Sequence, residues 1–172
     1  VFFQLEWVAL DDGRAAALVA DPTLARRRHL LEAMRRHRPH VLSEPEERLL
    51  EELANTGERA FGRLFDEILA RARFRVHEGG ETKDLSEEET LSLLYEAERE
   101  RRRAGAAALS EGLKQHSHVL AYVFNTLLQN KASEDRLRAY PDPLAARHLS
   151  NEIDAASVAA LRSESGVTID DP

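Results

Sequence analysis

The feature that most constrains the fold is a run of apolar residues at three- and four-residue spacing: Val119, Leu120, Val123, Phe124, Leu127 and Leu128. That spacing follows the 3.6-residue helical turn, so it predicts a long amphipathic helix with this stripe as its core face. The same arithmetic puts Phe61, Leu64, Phe65, Ile68, Leu69 and Ala72 on one side of a second helix.

Capping signals divide the rest of the chain. Phe2, Phe3, Leu5, Trp7, Val8 and Leu10 open an apolar helix expected to continue through Ala15 to Leu18. Asp21-Pro22 reads as an N-cap followed by proline at the first helical position, where its missing N–H costs nothing. The helix that follows, Thr23 to Arg38, should stop at Pro39, which disfavours helical geometry in the residue before it. Ser43 with Glu46 and Ser86 with Glu89 have capping-box spacing. Asn55-Thr56-Gly57 breaks the pattern. Phe74 to His77 reads as a short extended stretch, and Glu78 to Asp84, with Gly79-Gly80, as a loop. Asp142-Pro143 and Asp154 cap two further short helices, the second expected to reach Leu161. These signals predict an all-α chain of about eight helices, in an irregular antiparallel bundle or an array of helical pairs. At most one minor hairpin is expected, near 74–84. Residues 1–162 are expected to form the helical domain, with 1–77 and 85–162 as candidate lobes, and 163–172 an irregular tail.

Composition removes several classes of function. The 172 residues include no cysteine, so there is no disulfide framework, thiolate metal site or cysteine nucleophile; this suits a reducing, cytoplasmic setting. Lys and Arg total 24 against 31 Asp and Glu, a net charge of −7, which disfavours a long polyanion such as nucleic acid. No apolar run approaches the roughly 20 residues of a membrane helix. The first residue is Val1 rather than Met, and the sequence is read as a piece of a longer protein.

Seven histidines invite a search for metal ligands. A helical zinc site needs two histidines four residues apart with a glutamate between them. His77-Glu78-Gly79-Gly80-Glu81 has a carboxylate where the second histidine should stand, and two glycines inside it. His116 and His118 fall on different sides of a helix. His37 and His40 straddle Pro39, while His148 and Glu152 have the spacing of a surface ion pair. No Gly-x-Ser-x-Gly elbow or phosphate-binding glycine loop is present. No catalytic and no metal-ligating residue is therefore assigned. Two basic clusters stand out: Arg26 to His40, with six arginines against one acidic residue, and Arg99 to Arg103, with four. They read as solvated faces paired with acidic helices, with a docking surface for carboxylates or RNA as the alternative.

Several segments in order resemble the N-terminal region of the oligoendopeptidase F family of zinc metallopeptidases, relatives of the thimet-type oligopeptidases. These are Phe3-Gln4-Leu5-Glu6-Trp7; Arg28-His29; Arg38-Pro39-His40-Val41-Leu42-Ser43-Glu44 with Glu46-Glu47 and Leu49-Leu50; and Gly57 with Leu64-Phe65-Asp66-Glu67. They continue with Leu85-Ser86-x-Glu88-Glu89-x-Leu91, Arg99-x-x-Arg102, Phe124-Asn125-Thr126-Leu127 and Lys131. Asp135-Arg136-Leu137-Arg138-x-Tyr140 and Ala146-Arg147-x-Leu149-x-Asn151-Glu152-Ile153-Asp154 complete the set. The resemblance runs from about residue 2 to 161, and 163–172 depart from the continuation it implies.

In that family zinc and a His-Glu-x-x-His helix lie in a separate catalytic domain, where zinc activates a water and the glutamate acts as base. The resemblance therefore implies a chain that is inactive alone and holds no cofactor of its own. Its expected partners are a catalytic metallopeptidase domain of the same parent chain and, in the parent, short peptides. Its implied role is to wall the substrate channel and restrict it to short peptides. Tyr140, Arg147 and Asn151 are the candidate channel-facing residues, able to bind a peptide backbone or carboxylate. The plainer reading, which is favoured, is that they cap helices and tie a turn together. A domain built to pack on a partner should also self-associate when isolated. The competing expectation is a free-standing helical interaction module without a catalytic half.

Overall fold

The computed structural model describes residues 2–165, with nothing stated for the Phe2 side chain; residues 166–172, most of the expected tail, lie outside the described residues. The chain is mostly helical, as its periodicity requires, with one two-stranded sheet. In order it forms α1 (Phe2–Ala9), α2 (Asp12–Ala20), α3 (Arg28–Arg36), α4 (Glu44–Ala54) and α5 (Glu58–Arg71). The hairpin β1 (Phe74–Glu78) and β2 (Glu81–Leu85) follows, then α6 (Glu87–Leu93) and α7 (Arg99–Gln115). The described chain continues with α8 (Ser117–Leu137), α9 (Ala145–Asn151) and α10 (Ala155–Glu164). Short 3-10 turns occupy Pro22–Arg27 and Arg38–His40. Two compact units result: one from Val1–Leu50 with Lys131–Pro172, the other from Glu51–Asn130.

The caps fall where their side chains can reach orphan amides. Asp21 accepts from the Thr23 N–H, Asp154 from that of Ser157, and Asp142 from those of Leu144 and Ala145. Ser86 and Glu89 complete a reciprocal capping box. Around Ser43 only part of the expected box forms, with Glu46 accepting from both the amide and the hydroxyl of Ser43. The first apolar segment is not one helix to Leu18. Asp11 accepts from the Arg14 N–H and starts α2, so the chain breaks after Ala9. Capping chemistry overrides the continuous apolar pattern there.

Glu81–Leu85, most of it in the stretch expected as loop, is a strand and completes the one minor hairpin expected near 74–84. Gly79 and Gly80 both take positive φ, 58° and 85°, which is the backbone of a two-residue type I′ hairpin turn. The pairing runs antiparallel from Glu78 opposite Glu81 to Phe74 opposite Leu85.

Each unit has its own apolar centre. In the first, Trp7, Val8, Ala15 and Leu31 cluster, and the Trp7 indole N–H donates to the Leu31 carbonyl at 2.8 Å. In the second, Phe74 and Val76 alternate inward from β1 onto Ala72, Leu93 and Ala108. Here α7 lies directly on the hairpin because Gly112 leaves room for the Phe74 ring; a Cβ at 112 would stand 2.7 Å from Phe74 Cε1.

The stripe on α8 departs from expectation. Only Val123 is buried, while Phe124 is 62% and Leu128 49% exposed. Helical periodicity gave an apolar face, and Phe124 and Leu128 on it remain open among the described residues.

Candidate functional site

The segment Tyr140 to Asn151 is expected to offer Tyr140, Arg147 and Asn151 to a ligand; Tyr140 lies in the turn after α8, and Arg147 and Asn151 lie on α9. α8 ends in a left-handed Ala139 (φ 54°), with the Tyr140 N–H bonded to the Asp135 carbonyl and that of Ala139 to Arg136. This is a Schellman closure, usually built on glycine. It turns Tyr140 onto His40, ring centroids 3.9 Å apart and planes 18° from parallel. His40 Nδ1 lies 2.8 Å from the Arg138 carbonyl, and Arg138 Nη1 donates to the His40 carbonyl at 3.3 Å.

Arg138 also grips Glu47 with both guanidinium nitrogens, at 2.5 and 3.0 Å, and Glu47 accepts from the Leu42 N–H. A two-point guanidinium–carboxylate pair fixes direction as well as charge. The Arg138 hydrogen bonds hold the Glu47 carboxyl below its ordinary range, against the opposing effect of burial. Burial in turn raises the Tyr140 phenol. Tyr140 is thus engaged in tying the turn.

α9 closes the same way, on Glu152 (φ 53°), with the Glu152 N–H bonded to Leu149 and that of Ile153 to His148. The Glu152 carboxylate does not meet His148, the partner its spacing suggested. It accepts from Arg36 at 2.9 Å and lies 2.8 Å from His29 Nε2. Burial opposes ionisation of Glu152, but the Arg36 and His29 bonds outweigh it and hold the carboxyl low. Sequence separations of 116 and 123 explain why no local pattern revealed this site. Arg147 and Asn151 are exposed on α9, and their side chains have no hydrogen-bond or ion-pair partner among the described residues.

Other candidates disperse. His77 bonds Thr82, Glu78 meets Arg101 and Glu81 meets Lys83, so that stretch does not converge. Among the described residues no group of three His, Asp or Glu side chains comes together as a metal site. Much of the first basic cluster is used internally. Arg35 reaches Asp12 and the Trp7 and Leu10 carbonyls, Arg38 reaches Asp12, and Arg28 the Val19 carbonyl. In the second cluster Arg101 lies between Glu78 and Glu96; its Nε is 2.7 Å from Glu78 but not aligned as a hydrogen bond. No described helix is long and apolar enough to cross a membrane.

Residues 6–74 match the N-terminal peptidase M3 family model described as oligopeptidase F. No curated protein matches the sequence. Two crystal structures share the fold: a candidate peptidase from Chlamydophila abortus (TM-score 0.75, 21% identity) and oligoendopeptidase-F from Enterococcus faecium (TM-score 0.72, 23% identity). Each alignment covers 94% of this chain, but only 28% and 32% of the respective structures. The matched stretch contains the Arg28-His29 and Arg38–Glu44 blocks, whose side chains make the pairings above. Over residues 6–74 the chain is thus similar to the N-terminal region of the oligopeptidase F family, and it shares its fold with the two peptidase structures.

Proposed function

We propose that this chain is a non-catalytic wall of the substrate channel in an oligopeptidase F-like zinc peptidase, limiting entry to short peptides. The observation that carries this reading is the exposed apolar side of α8, where Phe124 and Leu128 stand open in a chain spanning less than a third of either matched structure. An apolar face of this kind is ordinarily covered by a partner surface. Its partner here is the catalytic region of the same parent protein. Zinc, held there, supplies a polarised water for peptide hydrolysis. The residues of this chain contribute shape and peptide contacts. Arg147 and Asn151, exposed and unengaged, are the channel-facing pair, and Tyr140 holds the turn that presents them. The absence of cysteine suits a cytoplasmic site of action.

The test is cleavage of a quenched fluorescent oligopeptide in the presence of zinc. A longer protein containing this region and a His-Glu-x-x-His segment is expected to cleave it, and to leave folded proteins intact. The 172-residue chain is expected to be inactive. Arg147→Ala in the longer protein should raise KM for short peptides and leave kcat nearly unchanged. Cleavage by the 172-residue chain itself would refute the reading, as would a longer protein that cleaves folded substrates equally well.

A further inference from the structure

A groove of about 530 Å³ is lined by residues of the hairpin and α7, none of them among Tyr140, Arg147 and Asn151. Strand alternation builds one wall: Phe74 and Val76 turn inward, which leaves Arg73, Arg75 and His77 on the outer side. Ala104, Ala107 and Ala108 of α7 make a smooth floor, and His116 stands at the end of the helix. We infer that this groove binds the terminal carboxylate of a short extended peptide, an inference that rests on the proposed peptidase role.

The charges favour such a ligand. Two lining carboxylates are already occupied: Asp84 takes only the Arg75 Nε, at 3.1 Å, and Glu111 is held by Lys114. Arg73 donates Nη1 to the Ala70 and Ala72 carbonyls. Both Nη groups of Arg75, and Nε and Nη2 of Arg73, make no hydrogen bond among the described residues, although the Arg73 charge lies near enough to Glu89 to help hold that carboxyl low. Two guanidinium forks beside an alanine floor, whose one carboxylate, Glu111, is paired with Lys114, suit one planar carboxylate bound through paired hydrogen bonds. In a chain of net charge −7 this is a local reversal of sign, strong enough for one or two negative charges but opposed to a polyanion. The volume suits a few residues of peptide.

The test measures fluorescence anisotropy of an N-terminally labelled hexapeptide without acidic side chains, as the free acid and as the C-terminal amide, against the 172-residue chain. The acid is expected to bind at least fivefold more tightly than the amide. Arg73→Ala with Arg75→Ala should weaken the acid at least tenfold and leave the amide unchanged, whereas Arg26→Ala with Arg27→Ala should change neither. If the double alanine variant loses its helical circular dichroism, Arg73→Lys with Arg75→Lys takes its place, with an expected loss of about threefold for the acid. Equal binding of acid and amide, unchanged binding by the arginine variants, or tighter binding of a single-stranded RNA oligomer than of the acid overturns the inference. Cleavage by the longer protein without an acid preference here removes the groove and leaves the proposed function standing. An acid preference here without cleavage by the longer protein does the reverse.

Discussion

Each unit has an apolar centre, but the surroundings of Phe74 in the second and of Arg138 in the first are held by different physics. Around Phe74 the second unit is closed by shape: a fully buried ring, a strand that alternates inward, and a helix brought close by Gly112. Around Arg138 the first unit is closed by charge and direction: a two-point pair to Glu47, a stacked His40–Tyr140 couple, and two helix ends strained into left-handed residues. Apolar closure involves no titrating group, whereas polar closure depends on ionisation. The difference shows which contacts hold a unit together and which merely orient a segment.

That contrast is open to direct attack. Phe74→Ala should be the most damaging change, destabilising by about 3–5 kcal/mol in urea unfolding, because it empties a sealed site. Gly112→Ala adds a methyl where the Phe74 ring already sits, and about 1–3 kcal/mol is expected from the forced repacking. If Gly112→Ala were neutral, the close approach of α7 to the hairpin would be wrong.

Arg138→Ala should cost less, roughly 1–2 kcal/mol after allowing for partial solvent screening; the two side chains are 23% and 13% exposed. Its pH signature is the sharper test. Glu47 is depressed in the folded state, so its contribution is present above its unfolded pKa and is lost as pH falls through the folded value. The stability gap between wild type and Glu47→Gln should therefore narrow on acidification, while the Phe74→Ala gap stays constant. Both gaps narrowing alike would erase the distinction. Smallest of all, Ala139→Gly should stabilise by up to about 1 kcal/mol, since it relieves a left-handed alanine at the end of α8.

Much of this architecture was legible in the sequence because its signals are local. Ser86 and Asp154 announce helix starts, and each cap forms. Asp21 instead caps the 3-10 turn Pro22–Arg27, and Asp142 ties the turn ahead of α9, whose own N-cap is Leu144. The hairpin was half visible: β1 was read, but the glycine pair concealed β2, since the pattern suited loop and I′ turn alike. What could not be read is what lies opposite each face. Periodicity says that Phe124 and Leu128 share an apolar side but not that the described chain leaves it bare. Likewise His148 stands four residues before Glu152, yet Glu152 finds His29 and Arg36 from the far end of the sequence. Pairings of this kind depend on tertiary placement.

The same limit applies to the candidate site. Tyr140, Arg147 and Asn151 were selected as polar groups in one short segment, and two of them remain open on α9. Tyr140 is drawn into the His40 stack, because a left-handed residue just before it reverses the chain. Neither that residue nor the turn has the glycine that would have signalled it.

The most direct measurement is the labelling rate of a single engineered thiol on α8. The 172-residue sequence contains no cysteine, so Leu128→Cys gives one reporter whose modification is followed by peptide mass spectrometry. In this chain alone the thiol should react quickly, since position 128 is about half exposed. In a longer protein that includes the catalytic region, modification of the same peptide should slow at least tenfold, as the apolar face becomes covered. Equal rates in the two proteins would contradict the claim that α8 is a surface built for that partner.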